Sequence, residues 1–199
     1  MKGDFAETAQ SSVPGSSRAH IGDTVETGVR VRASDPTYLD LLEFLWDEAA
    51  ILDREDLKGW KDMLDKGIRY RMPVCVTRRR GSQEAYESPA MHLEEDFSSL
   101  SFRIRRMLET LAWATDPVNR TRRFVTSVRI WRTSDPALFR ATSSLLLIRT
   151  QDDDYRTDLV TAERFDLIRK LPDSSYRLLD RKILADQTTI GTHNLAVFL

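Results

Sequence analysis

Residues 120–131 read RTRRFVTSVRIW. Three arginines in four positions run directly into Phe124, Val125, Thr126, Val128, Ile130 and Trp131, a β-branched and aromatic composition that suits a strand. With a side-chain period of two, Phe124, Val128 and Ile130 point one way, while Arg123, Val125, Arg129 and Trp131 point the other. Neither side is properly polar. The next segment, LFRATSSLLLIRT (138–150), behaves alike, setting Phe139, Ala141, Leu145 and Leu147 against Leu138, Leu146 and Ile148. Two more strands are predicted at about 156–169 and 176–185, set apart by the turn-forming QDDDYR (151–156) and LPDSS (171–175).

Upstream of this block the pattern is helical. Ser34 is placed as an N-cap with Pro36 in the first turn. Tyr38, Leu41, Leu42, Leu45, Ala49 and Leu52 then follow at helical spacing. A short second helix is predicted over 56–65, with Leu57, Trp60 and Leu64 inward. A third spans 95–111, with Leu100, Ile104, Met107, Leu108 and Leu111 on its apolar side. Between them GIRYRMPVCV (67–76) alternates as a half-buried strand that Pro73 stops, and a polar loop containing RRRGSQEAYESP (78–89) follows. Helices first and antiparallel strands afterwards define an α+β protein. Residues 1–33, rich in Ser, Gly and Thr, read as a flexible tail, and 34–199 as one domain. Three helices can cover one side of such a sheet and hardly two. Sheets apolar on both faces are covered on both, so the second face calls for a partner subunit. The closing HNLAVFL (193–199) carries Leu195, Val197, Phe198 and Leu199, which dock on this domain's own core or on a neighbour.

Composition narrows the function. Basic and acidic residues nearly balance, 30 against 31, and the isoelectric point is near 6.3, unlike a general nucleic-acid binder. The clusters RRR (78–80), RIRR (103–106) and RTRR (120–123) lack the interleaved aromatics of a single-strand platform. Of the basic residues 24 are arginine, a skew that fits ion pairs at interfaces and equally an arginine-rich genome. One cysteine, Cys75, excludes an internal disulfide. The sequence shows neither a membrane-length apolar run nor a signal-peptide core, so a cytoplasmic location is expected.

Catalytic motifs are sparse. His20, His92 and His193 have no partner at helical spacing, and no GxSxG, GxGxxG or Walker loop occurs. The acids of HLEED (92–96) suit the first turn of a helix, and those of QDDDYR a solvated hairpin tip. A curved sheet over helices can nonetheless close into a cone with an internal pocket, where Tyr70 with Asp53 or His92 would form an acid–base dyad. A stand-alone isomerase or dehydratase, and a homo-oligomeric small-molecule-binding module, are the two alternatives this leaves.

EFLWDEAAILD (43–53), IRYRMPV (68–74), AWATDPVNRTRRFVTSVRI (112–130), LLLIRT (145–150) and ILADQTTIGTHNLAVFL (183–199) together resemble the small (beta) subunit of the Rieske-type aromatic-ring-hydroxylating dioxygenases. The resemblance covers residues 36–199, with PAMHLEED (89–96) a loose match and RRRG (78–81) unusually basic. It implies a nuclear-transport-factor-2-like (cystatin-like) cone, with three helices packed in a curved, mostly antiparallel sheet. It also implies a structural, non-catalytic role beside a large alpha subunit, commonly as an α3β3 hexamer with beta–beta contacts. The alpha subunit would hold the Rieske [2Fe–2S] cluster and a mononuclear non-haem iron. Electrons would come from NAD(P)H through a reductase, often with a ferredoxin, and the product would be a cis-dihydrodiol in aromatic-compound catabolism. One cysteine is too few for a Rieske cluster, which needs two with two histidines. Under this reading Arg120, Arg122, Arg123, Arg129, Trp131, Asp186, Asn194 and Phe198 are the candidate interface residues, with Asp116 the nearest internal partner for the arginines.

Overall fold

The computed structural model describes residues 28–76, 87–113, 120–150, 157–188 and 197–199. It places helices α1 (Pro36–Asp53), α2 (Leu57–Asp62) and α3 (Phe97–Trp113) against strands β1 (Val29–Val31), β2 (Leu64–Cys75), β3 (Glu87–Asp96), β4 (Arg120–Arg132), β5 (Leu138–Thr150), β6 (Thr157–Lys170) and β7 (Tyr176–Ala185). The strands make one sheet in the order β1-β4-β5-β6-β7-β2-β3. Every described pairing is antiparallel except β2 with β7. This is the expected α+β cone, with a mixed sheet.

Local chemistry sets the element ends. Asp35, not Ser34, caps α1: its carboxylate accepts from the Thr37 N–H at 3.0 Å, and Pro36 follows in the first turn, where its missing N–H costs nothing. Asp56 caps α2 through the Gly59 N–H at 2.9 Å, so the helix starts one residue later than predicted and Leu64 already belongs to β2. At α3 the Asp96 carboxylate accepts from the Ser99 N–H while the Ser99 hydroxyl accepts from the Asp96 N–H, a reciprocal cap.

Three sequence expectations need correction. Val29–Val31, assigned to the tail, pairs with β4 as an edge strand; a Cβ on Gly28, at φ +138°, would run into the Arg132 carbonyl. Pro73 does not end β2, because the ladder shifts register there and continues to Cys75. PAMHLEED, read as loop leading into a helix, makes up most of β3, an edge strand. An edge strand tolerates the proline and the acids that argued against a strand.

The core lies between the helices and one face of the sheet. Leu41, Leu45 and Leu52 of α1, Trp60 of α2, and Leu100 and Ile104 of α3 pack on Ile68, Tyr70, Met72, Val128, Ile130, Phe139, Leu145, Leu147, Val160, Ile168 and Ile183. The closing Phe198 and Leu199 belong to this same core. The own-core alternative for the terminal residues is therefore the one the molecule adopts.

Candidate interaction face and cone interior

β4 carries a bulge that the strict alternation did not anticipate. Ser127 adopts φ +54°, and the register with β5 shifts between Thr126 and Arg129. The extra residue exchanges faces along the strand. Before it, Arg123 and Val125 point to the helices; after it, Val128 and Ile130 do. Phe124 is thus displaced from the core face to the outer face, where it is 50% exposed. Arg120 and Arg122, four and two residues earlier on the same side, are exposed as well. Across the ladder Phe124 lies opposite Leu146, and Arg122 opposite Ile148, which in turn faces Leu159. Leu159 is 51% exposed, and Leu146 and Ile148 are half-buried. One end of the outer face is therefore an apolar patch edged by two arginines. Toward β2 the same face turns polar, where Arg69 and Arg71 both reach Asp180.

The concave side is occupied by charge. Glu48 sits on the buried face of α1, and Arg164, Asp166 and Arg181 point in from β6 and β7. Arg181 is fully buried and doubly bidentate: its guanidinium donates to both Glu48 oxygens at 2.7 and 2.8 Å and to both Asp166 oxygens at 2.7 and 2.9 Å. The Trp60 indole N–H donates to Glu48 at 3.0 Å, and Arg164 donates to the Ser143 hydroxyl at 3.1 Å. Among the described residues Arg164 Nη2 has no partner. Burial alone would lift the Glu48 pKa, but Arg181, Arg164 and the Trp60 N–H outweigh it and hold the carboxyl below its ordinary range. Burial likewise opposes the Arg181 charge, and Asp166 and Glu48 overcome it, fixing the cation. Burial raises the Tyr70 pKa.

The predicted dyad is not assembled. Asp53 is held by Arg123, accepting from its side chain at 2.6 Å and from its backbone N–H at 2.9 Å. The Tyr70 hydroxyl donates to the Leu199 carbonyl at 2.8 Å and accepts from the Leu199 N–H at 2.9 Å. His92 lies on β3 with its buried Nε2 unpartnered among the described residues. Glu95, in the same acidic run, binds the Arg103 Nε–H at 3.0 Å. Cys75 is buried, and burial, with Glu87 and Asp186 adding to it, pushes its thiol up to about 11. Among the described residues no group of three or more His, Cys, Asp or Glu is placed to hold a metal ion. No described helix is long and apolar enough to cross a membrane.

Of the candidate interface residues, Arg120 and Arg122 fall on the outer patch, and Arg129 and Asp186 are exposed. Trp131 is buried within this chain. Arg123 and Phe198 are corrected to internal roles. Arg123 donates to Asp53 and, at 2.8 Å, to the Phe198 carbonyl, while the Phe198 ring stacks on Trp60 at 4.1 Å. Asn194, Asp116, QDDDYR and RRR (78–80) lie outside the described residues. Sequence reasoning missed the Glu48–Arg181–Asp166–Arg164 cluster. Its signal was present, in that Glu48 shares a helical stripe with Leu41, Phe44, Leu45 and Leu52.

A family profile described as "Ring hydroxylating beta subunit" matches residues 47–192. Among solved structures, naphthalene 1,2-dioxygenase with indole bound in the active site is 24% identical, covering 84% of this chain and 89% of that one, with a TM-score of 0.72. The beta subunit of benzoate 1,2-dioxygenase from Burkholderia mallei is 14% identical, covering 84% and 100%, at TM-score 0.65. A putative scytalone dehydratase from Novosphingobium aromaticivorans is 12% identical, covering 81% and 91%, at 0.57. These likenesses show a shared cone fold, carried by dioxygenase subunits and by a protein described as a dehydratase alike.

Proposed function

Because the chain belongs to the ring-hydroxylating beta-subunit family, we propose that it works as the scaffold of a multicomponent dioxygenase that adds O2 to an aromatic ring and yields a cis-dihydrodiol. The observation that carries this reading is the family match across residues 47–192. Its partner is the alpha subunit, to which the reading assigns the Rieske cluster, the mononuclear iron and the arene pocket, in an α3β3 assembly with beta–beta contacts. Electrons derive from NAD(P)H through a reductase and ferredoxin, and the assembly works in the cytoplasm in catabolism. Residues from about 28 onward form the single scaffold domain.

The outer patch of Phe124, Leu146, Ile148 and Leu159, with Arg120 and Arg122 at its rim, is the surface this reading gives to a neighbouring subunit. Apolar centres rimmed by arginine are the composition that subunit interfaces favour. Arg129 and Asp186, exposed beside it, and Asn194 are further candidates.

Co-expression tests the proposal. Produced alone, the chain should be inactive and self-associated or poorly soluble. Co-produced with a large subunit carrying Cys-x-His and Cys-x-x-His pairs, it should co-purify in fixed ratio and support arene dihydroxylation. Turnover of a small molecule by the isolated chain would overturn the reading.

A further inference from the structure

We propose that the cone interior is a binding site for an aromatic side chain joined to a peptide-type acid or amide, and that the chain's own Phe198–Leu199 occupies it as a built-in ligand. The contacts are those of a ligand site rather than of plain packing. Trp60 supplies a stacking platform 4.1 Å from the Phe198 ring at 30°, and Tyr70 meets the same ring edge-on at 6.4 Å and 90°. Three side chains then read the backbone polar atoms of the two residues. Tyr70 both donates to and accepts from Leu199, Arg181 donates to the Leu199 oxygen at 3.2 Å, and Arg123 donates twice to the Phe198 oxygen, at 3.2 and 2.8 Å.

Both arginine readers and the stacking platform are fixed from behind. Arg181 is clamped between Glu48 and Asp166, Arg123 is held by Asp53, and Trp60 is pinned through its N–H to Glu48. The two guanidinium donors and the Trp60 ring are thus preorganised by groups that the two terminal residues do not supply. This part of the site should therefore persist when the occupant leaves, while the Tyr70 hydroxyl is released from Leu199. Such preorganisation lowers the cost of binding. Arg164, 1% exposed with Nη2 unpartnered among the described residues, leaves a donor in the same buried charge cluster that Phe198 and Leu199 do not use.

The test supplies the occupant in trans. A chain lacking Phe198 and Leu199, purified alone or within its assembly with the large subunit, is titrated with N-acetyl-Phe-Leu while tryptophan fluorescence and thermal midpoint are followed. Saturable binding is expected, with a midpoint raised by several degrees. N-acetyl-Leu-Leu should bind at least ~10-fold more weakly, because it lacks the stacking ring. The intact chain should not respond, its site being filled. In case the shortened chain does not fold unaided, Phe198→Ala keeps the backbone contacts and leaves a ring-sized void beside Trp60, of the kind that takes up benzene; toluene should raise its midpoint. Both variants are also refolded with their probe present. A shortened chain that folds and ignores the dipeptide, an intact chain that binds it equally well, or neither variant folding or binding with its probe present, overturns the proposal.

Discussion

Glu48 occupies a position that helical periodicity reserves for an apolar side chain, and its environment explains why it is tolerated there. A lone carboxylate in such a place would be neutralised by proton uptake. Here two arginines and an indole N–H hold it charged. Buried pairs of this kind are asymmetric in energy: forming one gains little, but removing one partner strands the other. Arg181→Met strands two carboxylates, and should cost about 3–5 kcal/mol, read as a lowered urea midpoint. The pH dependence follows from the direction of the Glu48 shift. Its folded-state pKa is depressed, so its contribution is fully present above the unfolded-chain value, about 4.3, and is lost as pH falls through the lower folded value. Glu48→Gln should therefore be less stable than the parent at pH 7 and lose less of its remaining stability between pH 5 and acid. Urea titrations at several pH values check both halves. Cys75, buried on β2 with its thiol raised to about 11, should resist a thiol reagent at pH 8 until the chain is unfolded.

At the scale of elements, one backbone conformation decides what β4 presents. Ser127 at φ +54° pays the left-handed penalty that L-residues carry, roughly 1–2 kcal/mol. Ser127→Gly should be neutral or stabilising by up to about 1 kcal/mol, and Ser127→Val destabilising by 1 kcal/mol or more; chemical denaturation of the two variants measures both signs. The bulge also marks where sequence reading stopped. Strand bounds at 138–150 and 176–185 were legible because long apolar runs between turn signals have few alternatives. The same alternation, applied without a bulge, set Phe124 on one face with Val128 and Ile130, and Arg123 on the other with Arg129. The structure instead turns Arg123 inward with Val128 and Ile130 and leaves Phe124 outside. Nothing in TSV announces a left-handed serine. β3 was missed because edge position, which excuses Pro89 and the glutamates, is a property of the sheet and not of the segment. The ion cluster was missed for a related reason: Glu48, Arg164 and Arg181 come from three elements, and only the tertiary fold shows that their charges cancel.

For the whole molecule the question is which surface the fold leaves for another chain. The helices close the concave side, and Phe198 with Leu199 completes it, so the sheet's outer face is where further burial can be gained. α1 exposes Leu39 and Trp46 as well, but on a helix surface where scattered apolar residues are ordinary. The outer patch differs in being contiguous across three strands, β4, β5 and β6, and in carrying Arg120 and Arg122 at its edge. A charge placed at the centre of such a patch should oppose assembly without touching the core. Phe124→Glu and Leu159→Glu are expected to leave the urea midpoint of the isolated chain nearly unchanged, within about 0.5 kcal/mol. Each should weaken co-assembly with the large subunit or with other copies at least ~10-fold, since central interface positions carry most of the binding energy. Arg122→Ala, at the rim, should act in the same direction and more weakly, and its effect should shrink as salt is raised. Lys58→Glu, at another exposed position, on α2, should leave assembly intact. Sedimentation of mixtures over a dilution series separates these cases. Assembly that survives both glutamates while Lys58→Glu disrupts it would move the subunit contact from the sheet to the helices.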